Sequence, residues 1–309
     1  MIEFAHKAVM VAEVLQALGP KPGGRYADGT LGAAGDAFAI LEASSPDGWL
    51  YGCDRDAEAV ERARRRLAPF AGRFEIRQGN FANLADWVPP GSCDGVLLDL
   101  GLSLEQLQSA ERGFSFQKEG PLDMRMDRQH GRTAAELVNT ASAEELAKIF
   151  WELGGERDSR RLARMLVKAR EEQPFETTKG LADFIERCSP RRGRRIHPAT
   201  KPFQALRVVI NDEIVSLQAG LEGALKLLKP GGRLAVISFH SVEDRIVKNF
   251  GRARAQDYTS RGGLDVPEWR QPRAPELKLV TRKAIKPGAA ELESNPASRS
   301  AQLRVMEKL

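Results

Sequence analysis

Three acidic positions and a run of glycines carry the strongest chemical signal in this sequence. Asp28 opens a glycine-rich turn, Asp28–Gly35, with glycines at positions 29, 32 and 35. Glycine has no side chain, so such a turn lets backbone come close to a bound ligand. Asp54 lies about 20 residues beyond the turn, the spacing at which a carboxylate accepts hydrogen bonds from both hydroxyls of a ribose. Asp99 ends a further apolar run.

Alternating strands and helices position these acids at one edge of a predicted parallel sheet. The predicted strands are Arg25–Ala27, Trp49–Cys53, Phe74–Gln78, Gly95–Leu98 and Arg233–Ile237, closed by Leu277–Lys283 and Leu303–Glu307. The predicted helices between them are Val9–Leu18, Asp36–Glu42, Asp56–Leu67, Asp212–Leu228 and Val242–Phe250. This order indicates βαβ units with right-handed crossovers, and ligands of such sheets bind at the carboxyl ends of the strands.

The strand pattern stops in the middle of the chain. Between residues 104 and 210 the amphipathic segments predict helices at Ala134–Asn139, Ala143–Leu153, Ser159–Glu172 and Leu181–Arg187. We therefore predict two domains, as a length of 309 residues allows. Residues 1–106 and 211–309 form the ligand-binding sheet domain, and residues 107–210 form an inserted, mainly helical domain.

A glycine-rich turn followed by one acid is as compatible with a nicotinamide dehydrogenase as with a protein that binds S-adenosylmethionine. Two features favour S-adenosylmethionine instead. The turn lacks the G-x-G-x-x-G fingerprint that admits a pyrophosphate. The chain also ends in a candidate strand pair after a βα unit, which suits a seven-stranded, Rossmann-like methyltransferase sheet. In that sheet the turn holds the methionyl part of the cofactor, Asp54 its ribose, and Asp99 lies near its sulfonium.

Composition limits the other functional classes. The formal net charge of +5 suits a polyanionic partner such as nucleic acid. Three cysteines and four histidines fit no disulfide framework and no metal cluster, so we expect no metal. No run approaches the roughly 20 apolar residues of a membrane span, and the N-terminus does not have the pattern of a signal peptide. We expect a cytoplasmic protein of undetermined oligomeric state.

Eight motifs resemble one family, the ribosomal RNA small subunit methyltransferase H family, also called the MraW family. They follow the family's order over almost the whole chain. The motifs are Asp28-Gly-Thr-Leu-Gly, Asp99-Leu-Gly-Leu-Ser, Arg112-Gly-Phe-Ser-Phe116, Pro121-Leu-Asp-Met-Arg-Met-Asp127, His197-Pro-Ala-Thr200, Phe203-Gln-Ala-Leu-Arg207, Ile237-Ser-Phe-His-Ser241 with Glu243-Asp-Arg-Ile-Val-Lys248, and Asn295-Pro-Ala-Ser-Arg-Ser300.

The resemblance implies N4-methylation of a cytidine in the decoding region of small-subunit (16S) ribosomal RNA, with the RNA or the 30S particle as partner. It also implies a set of residues around S-adenosylmethionine: Ala34, Gly35, Asp36, Asp54, Phe81, Asp99 and Gln106. The chain departs from the family where Ala34-Gly35-Asp36 replaces the usual Gly-Gly-His. An aspartate there can bind the amino group of the methionyl moiety, but the imidazole is lost.

Three residues are predicted to carry the chemistry. The N4 amine of cytosine is a poor nucleophile, because its lone pair is delocalised into the ring. Asp99, or a backbone carbonyl after it, is expected to accept a hydrogen bond from that amine and so orient the lone pair. Phe239 is the predicted ring that stacks on the base, and His240 the predicted acceptor of the released proton. The alternative for His240 is a helix-capping or core histidine.

The insertion is predicted to bind the RNA. Arg187, Arg191, Arg192, Arg194, Arg195 and Lys201 crowd into one Pro/Gly-rich loop, which predicts phosphate contacts. The alternative is a solvated basic loop. Two alternatives to the whole interpretation also stay open: a methyltransferase on another substrate, and a non-catalytic ribosome-assembly factor that binds RNA.

Overall fold

The computed structural model describes residues 8–189, 196–260 and 266–309. The chain forms two compact units, one made of the residues up to Gly101 together with Ser216–Leu309, the other of Leu102–Val215. The second unit is wider than the predicted insertion at both ends. One reason is that Leu102 packs against its core and Glu213 pairs with Arg207 within it, at 2.8 Å.

The first unit contains a seven-stranded sheet, as the alternating pattern predicted. The strands of the chain are β1 (Arg25–Asp28), β2 (Trp49–Asp54), β3 (Phe74–Gln78), β4 (Cys93–Asp99), β5 (Leu228–Ser238), β6 (Tyr258–Ser260), β7 (Arg270–Pro272), β8 (Leu277–Leu279) and β9 (Gln302–Lys308). The order in the sheet is β3-β2-β1-β4-β5-β9-β8, and β6 and β7 form a separate hairpin. Strands β1 to β5 are parallel, whereas β9 is antiparallel to both of its neighbours. The predicted seven-stranded, Rossmann-like sheet is thereby confirmed.

Both faces of this sheet are buried. Its helices are α1 (Val11–Leu18), α2 (Gly35–Ala43), α3 (Ala57–Arg66), α10 (Glu213–Leu227), α11 (Ser241–Ala255) and α12 (Ala289–Ser294). Leu97 packs with apolar residues of α1, α2 and α3, whereas the next residue, Leu98, packs with those of α10 and α11. Successive side chains of a strand point to opposite faces, which explains why the buried strands are continuously apolar.

The second unit is built from helices. They are α4 (Leu104–Gln108), α5 (Ala134–Thr140), α6 (Ala143–Glu152), α7 (Ser159–Glu172), α8 (Thr178–Cys188) and α9 (Thr200–Ile210). Side-chain oxygens of Thr133, Ser142 and Thr177 accept hydrogen bonds from the first-turn amides of α5, α6 and α8. These caps satisfy amides that lack a partner within the helix.

Several elements differ from the sequence prediction, and α4 and α12 are among those that were not predicted. Helix α9 was not predicted, because Pro202 interrupts its apolar pattern. Pro202 lies in the first turn, where a missing N–H costs no helical hydrogen bond. The hairpin of β6 and β7 was also not predicted. Strand β8 ends at Leu279 rather than at residue 283, since the amides of Val280 and Thr281 both donate to the carbonyl of Val305. Within the described residues, every helix is too short or too polar to cross a membrane.

Candidate functional site

The loop after β1 is held against both neighbouring strands. The amide of Gly29 donates to the carbonyl of Leu97 in β4 at 3.0 Å, and the amide of Leu31 donates to Cys53 in β2 at 3.1 Å. β1 lies between these two strands, and the sheet grows from it in both directions. The glycine-rich turn therefore lies at the switch point of the sheet, where open α/β proteins bind ligands.

Asp54 fixes the same loop from the end of β2. One of its oxygens accepts a hydrogen bond from the amide of Gly32 at 2.8 Å, and the other accepts one from Asp56 at 2.9 Å. Burial raises the pKa of Asp54, and these two amides oppose that rise. Each carboxylate oxygen keeps a lone pair beyond its single backbone contact, so Asp54 retains the capacity to accept from two hydroxyls.

Thr30 connects the tips of β1 and β4. Its amide donates to the carboxylate of Asp28 at 3.0 Å, and its hydroxyl accepts a hydrogen bond from the amide of Asp99 at 2.7 Å. Asp28 itself is buried, with 2% of its surface exposed. The hydroxyl of Thr30 thus fixes the backbone of Asp99 relative to Asp28.

Four acidic side chains act on one another at this edge, namely Asp28, Asp36, Asp99 and Glu243. Burial raises the pKa of Asp28 to about 7 and the pKa of Asp36 to about 8, and the charge of Asp28 adds to the latter shift. The pKa of Asp99 lies well above its usual value because of burial and of repulsion from Asp36, Asp28 and Glu243. One oxygen of Asp36 and one of Asp99 are buried without a hydrogen-bond partner among the described residues. Such a cluster is matched electrostatically by a bound cation.

Ala34 and Gly35 bring Asp36 into this cluster at the start of α2. Ala34 is fully buried and left-handed, with a φ of 57°, a conformation that favours glycine. Glycine, which the sequence resemblance implies at this position, would adopt the same conformation without this strain. A Cβ on Gly35 would lie 2.6 Å from the Cβ of Ala8, so no larger residue fits there without movement.

Phe81 follows β3 and lies against the glycine-rich turn. A Cβ on Gly29 would lie 2.7 Å from the Cβ of Phe81, and a Cβ on Gly220 of α10 would collide with the Phe81 ring. The ring remains partly exposed. Phe81 thus lies at the same edge as the aspartates, and two glycines make room for it.

Phe239 lies at the tip of β5 beside the tip of β4. The amide of Leu100 donates to the carbonyl of Ile237 at 2.9 Å, which holds the two tips together. A Cβ on Gly101 would approach the Phe239 ring to 3.3 Å. A partly exposed aromatic ring therefore lies next to the chain that follows Asp99.

His240 begins α11 and acts as its N-terminal cap. Its Nδ1 accepts a long hydrogen bond of 3.4 Å from the amide of Glu243, and one oxygen of Glu243 accepts from the amides of Phe239 and His240. The Nε2 atom lies 3.2 Å from the other oxygen of Glu243. The capping alternative therefore describes what His240 does in this structure, and its role as a proton acceptor stays a prediction.

The remaining predicted residues belong to the second unit. Gln106 is buried and forms a capping box with Ser103, whose amide donates to its side chain at 3.1 Å. Arg191, Arg192, Arg194 and Arg195 lie outside the described residues. The prediction that Arg187 and Lys201 lie in the same loop was wrong. Arg187 is in the last turn of α8 and Lys201 in the first turn of α9, because Ala199 and Thr200 hydrogen-bond back to His197 and start that helix early.

The sequence prediction missed two residues that shape the site. Thr30 is two residues after Asp28, a spacing typical of a turn in which an aspartate accepts from the backbone. Glu243 is three residues after His240, which is the spacing of a capping box. Both signals are visible in the sequence, but neither indicates that the side chain lies beside Asp99.

The tips of β1, β2 and β4, with the start of α2, thus present a cluster of buried carboxyl groups, an acceptor with free lone pairs and two partly exposed aromatic rings. This arrangement fits a cationic ligand that carries hydroxyl groups. The single observation that distinguishes it from an ordinary loop is the pair of unpartnered, buried oxygens on Asp36 and Asp99.

Comparison with known proteins identifies the family. A family model described as the MraW methylase family matches residues 3–309. Ribosomal RNA small subunit methyltransferase H of Citrifermentans bemidjiense is 53% identical over 314 residues, which cover 100% of each chain. The protein of the same name from Geobacter sulfurreducens is 51% identical over 311 residues and 99% of each chain. The one from Symbiobacterium thermophilum is 47% identical, over 99% of this chain and 97% of its own. The chain belongs to the MraW methylase family.

Proposed function

We propose that this protein transfers a methyl group from S-adenosylmethionine to the N4 amine of a cytidine in the decoding region of small-subunit ribosomal RNA. The observation that carries the proposal is the acidic cluster at the strand tips, with unpartnered oxygens on Asp36 and Asp99. The names of the relatives, ribosomal RNA small subunit methyltransferase H, support the RNA substrate.

S-adenosylmethionine is the cofactor of this methylase family, and the residues present fit it. Asp54 would accept hydrogen bonds from the ribose hydroxyls, and Phe81 would lie beside the adenosine. Asp36, with the backbone of Ala34 and Gly35, would hold the methionyl ammonium. Asp99 and Gln106 complete the proposed set. When bound, the cofactor supplies an electrophilic methyl group on a sulfonium centre.

The protonation of the acidic cluster is coupled to this binding. Without a cation, burial and mutual repulsion favour the protonated forms of Asp28, Asp36 and Asp99. A nearby positive charge lowers the pKa of each and returns it to the carboxylate form. Asp99 then becomes a hydrogen-bond acceptor rather than a donor, as its proposed role requires.

The reaction itself is attributed to three residues. Ionised Asp99 accepts a hydrogen bond from the N4 amine and turns its lone pair out of conjugation with the ring. Phe239 stacks on the extruded base. His240 takes the proton at Nδ1, the ring nitrogen with the lone pair, and so gives up the long capping hydrogen bond from the amide of Glu243. Positioning of the two reactants supplies most of the proposed rate enhancement, since holding reactants in the right orientation lowers the barrier by about 7–11 kcal/mol relative to reaction in free solution.

The second unit is proposed to hold the RNA, with Lys201 and the arginines at 191, 192, 194 and 195 on the phosphates. The target base must leave its stack to reach the methyl group, and RNA-binding proteins commonly read such unpaired segments. Action on the small-subunit RNA or the 30S particle implies a cytoplasmic site of action.

The test is methyl transfer with defined acceptors. Purified protein is incubated with isotope-labelled S-adenosylmethionine and small-subunit particles from cells that lack this gene. Nuclease mapping and mass spectrometry then locate the label. We expect one labelled cytidine in the decoding region, with the mass signature of an N4-methyl group. Label on another base, on a ribosomal protein, or nowhere would refute the proposal, and absent binding in calorimetry with millimolar cofactor would favour a non-catalytic assembly factor.

A further inference from the structure

The second unit has an open groove between α6 and α7 that the proposed reaction does not use. It has a volume of about 1080 Å³ and is lined only by residues of these helices and of the turn between them. On α6 the lining residues Glu144, Lys148 and Trp151 recur at helical spacing, so they share one face, opposite the buried Leu146 and Phe150.

The groove is strongly basic. Arg157, Arg160, Arg161 and Arg164 line it from the turn and from one face of α7, and Lys148 lines it from α6. The groove also contains two acids, Glu144 and Asp158. All five basic side chains are exposed, and the described part of the chain places no carboxylate in an ion pair with any of them. Four arginines without counter-ions form a surface that matches a polyanion.

An exposed aromatic ring lies in the same groove. Trp151 has 59% of its surface exposed, the largest exposed fraction of any aromatic side chain among the described large hydrophobic residues. An aromatic ring that is exposed in this way is available to stack on a flat partner. A flat ring between cationic side chains is the arrangement that binds single-stranded nucleic acid, with the base on the ring and the phosphates on the arginines.

The groove lies beside the ends of α8 and α9. The ammonium group of Lys201 donates to the carbonyl of Gly155 in the turn between α6 and α7, at 2.9 Å. Arg161 lies near the end of α8, where its charge and that of Arg187 both act on the thiol of Cys188. The basic groove therefore meets both helix ends that flank the arginine-rich segment.

We infer that the α6–α7 groove binds a single-stranded segment of RNA, with one unpaired base stacked on Trp151 and the flanking phosphates on Arg157, Arg160 and Arg164. The inference rests on the proposed function, because it takes the RNA substrate as the polyanion. It goes further by assigning an RNA subsite that lies entirely within the second unit. A single strand is favoured over an acidic protein because the aromatic ring lies among the cations.

The test measures binding of the full-length protein to a fluorescein-labelled oligouridylate. A length of about 20 nucleotides is sufficient, because one binding fold covers about 4–16 nucleotides. Trp151→Ala is expected to weaken binding about 5- to 150-fold, the usual effect of losing one stacked base, and Trp151→Phe to restore most of it. The matched control is Trp269→Ala, an exposed tryptophan outside the groove, with 49% of its surface exposed. It should bind as wild type does.

The arginines are tested through the salt dependence of the same binding. Arg160→Gln combined with Arg164→Gln should weaken binding and reduce the slope of log affinity against log salt by about 1.4, at about 0.7 per lost phosphate contact. Arg65→Gln, an exposed arginine of α3, is the control. Unchanged affinity and slope in the groove variants would overturn the inference. Groove variants that bind RNA normally but no longer bind a ribosomal protein would also overturn the inference.

Methylation of small-subunit particles separates this inference from the proposed function. If wild-type protein methylates the RNA and the groove variants have an unchanged KM for the particle, the inference alone fails. If the wild type binds RNA through the groove but transfers no methyl group, the proposed function fails and the groove assignment stands. The expected result is a raised KM for RNA, with unchanged cofactor affinity and unchanged turnover at saturating RNA.

Discussion

Replacement of Asp36 by asparagine should make the protein more stable at neutral pH. Asp36 is buried, with 7% of its surface exposed, and its pKa is raised to about 8 from the usual 3.8. At pH 7 the unfolded chain has this group ionised, whereas the folded chain keeps it protonated. The difference lowers the free energy of unfolding by on the order of 4 kcal/mol, at about 1.4 kcal/mol per pH unit.

The sign of the pH dependence follows from the same shift. A carboxyl whose folded pKa is raised leaves stability intact at low pH and lowers it progressively as pH rises from about 4 to about 8. Asparagine has nearly the same shape and cannot ionise, so it removes this loss. We expect Asp36→Asn to be about 2–4 kcal/mol more stable than wild type at pH 7, and close to it at pH 4.

Urea denaturation followed by circular dichroism, at several values of pH between 4 and 8, measures both quantities. Asp86→Asn, at an exposed carboxylate of the same unit, is the control and should change stability by no more than about 0.5 kcal/mol. Parallel stability curves for wild type and Asp36→Asn, or a less stable variant at pH 7, would refute the claim that the raised pKa of Asp36 lowers stability at neutral pH.

Three further predictions concern the site. Asp99→Ala should abolish methyl transfer and leave RNA binding intact; near-normal turnover in a radiolabel assay would remove Asp99 from the mechanism. Cofactor affinity measured by calorimetry should rise from pH 6 to about pH 8. The reason is that binding of the cationic cofactor ionises Asp28 and Asp36, whose pKa values are raised to about 7 and about 8. An affinity that does not change with pH would contradict this. Gly220→Ala should displace the Phe81 ring, because the new methyl group collides with it. We expect cofactor binding to weaken about tenfold or more while the sheet stays folded. Unchanged affinity would place Phe81 outside the site.

Periodicity predicted the sheet well because its central strands are buried on both faces. Phe74–Gln78 was predicted with its observed bounds, and the other parallel strands were found within a few residues at most ends. Helices cover both faces of the central strands, so these strands must be apolar along their whole length, and such runs are easy to recognise in the sequence. The prediction failed where local sequence and tertiary packing disagree, as at Pro202 in α9 and in the hairpin of β6 and β7.

The sequence by itself determined the order of elements, the family resemblance and the acids at the ends of β1, β2 and β4. Only the tertiary structure decided how those acids act on one another. Asp28, Asp36 and Asp99 are separated by up to 71 residues in the chain, yet burial and repulsion in one cluster raise their pKa values together. The physical reason is that the pKa of a carboxyl depends on distance and on local polarity, and both are set only when the parallel strands bring their ends to one edge.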